Sequence, residues 1–165
     1  MLKTHRNRER SLIWAVRLFL FMAAILFVGG VGIPVAFRLG RGQFLLFTPR
    51  YDRVHFGRAP ADIIAREPAV LEVQFLYIDL VATLLLICGV LLASVTWFGL
   101  RRGHRWAWWS IFFGFVAGGA SLARTVLPYH LEAALGIGDV PPLLWLAVIA
   151  PVALVLGWRG TRGRT

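Results

Sequence analysis

Charge is scarce in this chain. Only 16% of the 165 residues are Asp, Glu, Lys or Arg, against roughly 25% in soluble domains. Acids are scarcest: 8 Asp and Glu stand against 18 Lys and Arg, a formal net charge of +10. Cysteine occurs once, as Cys88. A single cysteine excludes an intrachain disulfide, a Cys-x-x-Cys redox pair and a cysteine-rich zinc cluster. Cys88 lies within an apolar run and reads as a small buried hydrophobe, not a reactive thiol. Internal repeats and low-complexity tracts are missing. So is the alternation that a membrane-spanning strand would need.

Catalytic patterns are missing too. No Ser-His-Asp set, phosphate-binding glycine loop or di-carboxylate metal spacing occurs. The histidines do not converge on spacing. His5 and His104 fall on one side of the apolar runs, and His55 and His130 on the other. Only His55 with His130 could flank a haem iron, and His55 is expected in a loop. Neither a metal nor a cofactor is expected. A net charge of +10 raises nucleic acid as a partner. The bases sit beside apolar blocks, however, and no basic stripe with interleaved aromatics crosses a water-exposed segment. They read as topology signals and contacts to anionic lipid, with no nucleic-acid partner.

What the chain has is length of apolar sequence. Hydrophobic residues make up 58% of it. Charge-free runs of 20, 21, 18 and 19 residues cover 18–37, 80–100, 106–123 and 140–158. Each is near the ~20 residues that carry a helix across the hydrocarbon core. The first run is too long for a typical signal-peptide core and lacks a clear small-x-small cleavage site, so it reads as a retained span. The expected fold class is all-α, a four-transmembrane-helix bundle. It would form one integral membrane domain over 1–165, with spans near 14–37, 70–100, 105–127 and 141–158.

Orientation follows from the bases. Lys3, Arg6, Arg8 and Arg10 precede the first span; Arg101, Arg102 and Arg105 join the second to the third; Arg159, Arg162 and Arg164 follow the fourth. The opposite side has Arg38, Arg41, Arg50, Arg53, Arg58, Arg66 and Arg124, nearly all in one long loop. The positive-inside rule then puts both termini in the cytoplasm and a long extracytoplasmic loop between helices 1 and 2. Trp14, Trp97, Trp106, Trp108, Trp109 and Trp158 fall near the inner boundary as an aromatic belt, and Trp145 near the outer one. Arg17 is expected to snorkel to the headgroups.

Two acids stand inside or beside the second span. Glu72 and Asp79 are seven residues apart, nearly two turns, and share a helix face. Asp79 lies 22 residues before Arg101, and Arg124 lies 19 after Arg105. These separations are about 33 Å and about 29 Å of helix. In an antiparallel hairpin Asp79 and Arg124 would meet near the outer boundary, and a salt bridge between them is expected. Glu72, Asp79, Arg124, His130 and Glu132 form the candidate cluster, for a ligand or for helix pairing. Gln74, Tyr77, Tyr129, Arg53 and His55 belong to the same level. The bland reading is a wet, interfacial lock between helices. The sharper one is a cavity for a small polar or amphiphilic ligand.

Smaller features complete the pattern. Gly103 can turn the hairpin. Pro60 and Pro68 flank a short outer helix whose first turn holds Asp62. Gly114 and Gly118 have small-xxx-small spacing, read as packing inside the chain. Pro34 and Pro151 are expected to kink or end their helices.

The stretch "WFGLRRGHRWAWW" at 97–109 resembles the inner hairpin of uncharacterised small bacterial four-helix integral membrane proteins. Its Arg101, Arg102, Gly103, Arg105, Trp106, Ala107 and Trp108 carry the likeness. The resemblance implies the inner (plasma) membrane of a bacterium and brings no activity, cofactor or catalytic residue. The leading reading is a non-enzymatic membrane protein that binds lipid, a small amphiphile or a partner membrane protein, or forms a homo-oligomer. The alternatives are a transporter or channel component, or a membrane enzyme acting on a lipid or quinone. The first has only Thr83, Ser94, Thr96, Ser110 and Ser121 inside the spans. The second would use His130 and Glu132 as acid and base.

Overall fold

A computed structural model describes residues 2–40, 49–131 and 141–162; the side chains of 2–6, 49–51, 55, 122, 125–131 and 141–147 lie outside the description. The described residues are helical, with no strand among them. Helix α1 runs Leu2–Gly40, 39 residues, or about 58 Å. That is longer than the ~30 Å hydrocarbon core. Pro34 lies inside α1 and does not end it; it leaves only the Gly30 carbonyl without its usual N–H donor. Pro151 likewise lies inside the last helix.

The segment expected as a loop is partly helical. It contains α2, Pro49–Phe56, and α3, Pro60–Arg66. His55 is therefore on a helix, with its side chain outside the description. Helix α3 is the short one expected between Pro60 and Pro68: Pro60 opens it and Asp62 occupies its first turn. Gly57 between α2 and α3 has φ 66°.

Helix α4, Ala69–Ser94, continues through a π-helical turn, Val95–Gly99, and a 3-10 turn, Leu100–Arg102. Gly103 ends it at φ 80°, and its N–H donates to the Leu100 carbonyl at 2.8 Å. Glycine reaches this left-handed conformation without the Cβ clash that penalises other residues. Helix α5, Arg105–Leu131, follows, and α6, Pro141–Thr161, closes the fold.

Helix α1 is the centre of the packing, with α4 along one side and α6 along another. Backbones meet where glycine removes the side chain. A Cβ on Gly30 would lie 2.8 Å from the Ala82 carbonyl oxygen, and one on Gly89 3.0 Å from that of Ala23. The core gathers at the Gly103 end. There Phe19, Met22, Leu100 and Ala107 are fully buried among Leu12, Trp108 and Ala153. Gly157 makes room for Trp108, and Gly160 for Leu12. Trp108 donates its Nε1–H to the Leu154 carbonyl at 2.8 Å. Trp108 thus belongs to the core and not to the belt expected for it.

Helix α5 departs from the expected hairpin. Its main neighbours are the π-helical turn and α6, not the length of α4. Aromatic packing is the cause: Trp108 lies 4.7 Å from Trp158 and stacks on Phe112 at 5.1 Å. Gly114, Gly118 and Gly119 face open space, so the small residues do not pack inside the described chain. Cys88 is exposed, not buried; helix α4 is apolar all round, so its composition does not say which side turns inward.

Two stretches, Asn7–Gly40 and Ala69–Arg102, are long and apolar enough to cross a membrane. Only 22% and 17% of their most apolar windows are buried.

Candidate functional site

Arg38 and Asp79 form an ion pair between α1 and α4. Arg38 Nη2 donates to Asp79 Oδ2 at 2.7 Å. Each side chain is set by its helix. Arg38 is the base in the last turn of α1, where a cation is favoured by the helix dipole. Asp79 follows Ile78, which is buried on the face that α4 shares with Gln74, Ala82 and Gly89. The Asp79 carbonyl accepts the Thr83 hydroxyl at 2.8 Å.

An aromatic step supports the pair. The Arg38 guanidinium carbon lies 5.9 Å from the Phe75 ring centroid, and Phe37 meets Phe75 edge-to-face at 5.7 Å. The Arg38 and Asp79 side chains keep 59% and 46% of their surface exposed. A pair this open contributes about 0–1 kcal/mol in water. It therefore registers α1 on α4 more than it stabilises either.

The expected partner of Asp79 was Arg124, and the structure corrects this. Arg38 takes the carboxylate because α1 continues to Gly40 beside α4, while α5 leans toward α6. Arg124 is exposed on α5. Glu72 is exposed two turns before Asp79 on α4. The His130 side chain and the whole of Glu132 lie outside the described residues, as do the side chains of Tyr129 and Trp145. The described part of the cluster thus has two acids on α4 and one base on a different helix. Arg38 stands one residue past the first charge-free run, where sequence alone reads as loop.

The burial of two other polar groups has no signal in the sequence. Asp52 in α2 is fully buried and engaged in an interaction. Thr96 in the π-helical turn is also fully buried, and its hydroxyl has no hydrogen-bond partner among the described residues. No group of three His, Cys, Asp or Glu that could hold a metal occurs among the described residues. An open apolar groove of about 340 Å³ lies between α1 and α4, lined by residues that include Ala23, Phe27, Gly89 and Ala93.

Arg17 turns its guanidinium over the Trp14 ring at 5.4 Å, a cation–π contact. Comparison of the chain with protein-family models, curated proteins and solved structures finds no match in any of the three.

Proposed function

We propose that this chain is a four-span integral membrane protein of a bacterial inner membrane, non-enzymatic, with both termini cytoplasmic. In this reading its extracytoplasmic polar end binds a lipid, a small amphiphile or a partner membrane protein. One observation carries the reading. Large apolar side chains all round the packed helices stay exposed, among them Phe21 at 55%, Val28 at 67%, Leu84 at 53% and Phe113 at 61%. Water would penalise that surface by about 25 cal/mol per Å², and an acyl-chain environment would not.

The likeness of 97–109 to small bacterial four-helix membrane proteins supports the same placement. The apolar surface of α1 and α4 gives way to charge at Arg38, Asp79 and Glu72. A ligand that is part apolar and part polar suits that boundary. Glu72 is exposed at that boundary and Arg124 is exposed on α5; in this reading both supply polar contacts to the ligand.

Native mass spectrometry after gentle extraction into lipid nanodiscs tests this function. A bound lipid, small amphiphile or second protein, lost on Glu72→Gln with Arg124→Gln, is the expected result. A bare chain, or a ligand indifferent to both substitutions, would overturn the binding role. It would leave Arg38 and Asp79 as a purely structural lock.

A further inference from the structure

We propose a second site at the opposite end: Arg105 and Arg162, held around Trp158, bind the phosphate of an anionic membrane lipid. The inference rests on the reading that these helices lie in a membrane. It concerns the Gly103 end, not the Arg38–Asp79 end.

Trp158 is a fixed platform. Trp108 lies 4.7 Å away and Trp109 5.9 Å away, and Trp108 is itself tied to the Leu154 carbonyl. Two guanidiniums sit on this one ring, Arg105 at 5.7 Å from its centroid and Arg162 at 5.3 Å. Both arginines are exposed. Neither bonds a carboxylate among the described residues. The one acid on α1 is Glu9, which has an interaction of its own. Like charges brought to one ring repel, and an anion relieves that repulsion. A guanidinium fork matches phosphate oxygens two at a time. Helix α5 begins at Arg105, so the positive end of its dipole lies at that residue.

The surface next to the cations is shaped for a lipid and not for a free anion. Arg105, Trp109, Phe113 and Val116 follow one another at spacings of three or four along a single face of α5. Trp109 stacks on Phe113 at 5.6 Å. Exposure along the strip is 40% at Trp109, 61% at Phe113 and 52% at Val116. From Arg105 to Val116 the helix rises about 16 Å, close to one leaflet of a ~30 Å hydrocarbon core. The head of this strip is cationic, its neck aromatic and its length apolar. Arg101, over the Trp97 ring at 4.2 Å, adds a flanking cation at the same end.

The test is thermal unfolding of the full chain in a zwitterionic detergent, titrated with phosphatidylglycerol, phosphatidylcholine or inorganic phosphate. Phosphatidylglycerol is expected to raise the midpoint by about 5 °C, and the other two to leave it unmoved. Arg105→Gln with Arg162→Gln should abolish the rise, while Arg8→Gln with Arg10→Gln should keep it. Should the double variant fail to fold, each single variant is expected to weaken the phosphatidylglycerol response about tenfold. An undiminished response in both singles overturns the site. So does an equal rise with phosphatidylcholine. A rise with inorganic phosphate alone means an anion site without lipid and overturns the lipid assignment. A chain that stays monodisperse without detergent overturns the membrane reading itself. A chain that needs detergent but ignores phosphatidylglycerol overturns this inference alone.

Discussion

Arg38 on α1 bonds Asp79 on α4 at 2.7 Å, across 41 residues of sequence. Arg38 directly follows one charge-free run, 18–37, and Asp79 directly precedes another of nearly equal length, 80–100. Antiparallel helices with equal apolar lengths bring such flanking charges level. Asp79→Asn and Arg38→Gln should each lower stability by about 0.5–1 kcal/mol, since an exposed pair is screened. The exchanged pair, Arg38→Asp with Asp79→Arg, should regain part of that loss. A double-mutant cycle read by thermal unfolding measures the coupling. Zero coupling between positions 38 and 79 would remove the pair from the account.

Close helix approach is the second prediction. Gly30→Ala puts a methyl 2.6 Å from Leu86 Cγ and 2.8 Å from the Ala82 carbonyl oxygen. The backbone contact cannot be relieved by a rotamer change, so a loss of about 1–3 kcal/mol is expected. Gly114→Ala meets nothing within 4 Å. It should be neutral or raise stability by about 0.5–1 kcal/mol through helix propensity. A Gly114→Ala variant less stable than Gly30→Ala would contradict the packing of α1 on α4.

At the turn, Gly103→Ala forces a Cβ onto a residue at φ 80°. The expected cost is about 1 kcal/mol. Gly103→Asn should cost less, because asparagine tolerates the left-handed region. Chemical denaturation of the three proteins ranks them; alanine above asparagine in stability would be the failing order.

Trp108→Phe keeps one aromatic ring but removes the N–H-bearing five-membered ring, so some packing is lost along with the donor. The lost hydrogen bond to the Leu154 carbonyl should cost about 1 kcal/mol. Trp109→Phe removes an N–H from a more exposed residue and should cost less. Equal losses would mean that the Trp108 bond does not hold α5 against α6.

Much of this arrangement was legible from residue order. The turn at Gly103, the helix opened by Pro60 and the long apolar helices α1 and α4 follow from glycine, proline and run length. The partner of Asp79 was not legible, because counting from the turn assumed that α5 runs beside α4. Trp108 and Trp109 overturn that assumption: they bind α5 to α6 through Trp158. The facing of Cys88 and of Gly114 was hidden for another reason. An all-round apolar helix has no polar side to mark the surface. The π-helical turn at Val95–Gly99 has no signal in its residue types. His130 and Glu132 remain part of the proposed outer cluster by sequence position alone.

In the proposed reading the chain crosses a membrane with the Arg38–Asp79 end outside and the Gly103 turn inside. Cysteine accessibility in intact cells tests it most directly. With Cys88→Ala as background, the variants Glu72→Cys and His104→Cys are treated in turn with a membrane-impermeant maleimide. The account predicts labelling of Glu72→Cys in intact cells and of His104→Cys only after permeabilisation. Labelling of both from the same side would contradict it.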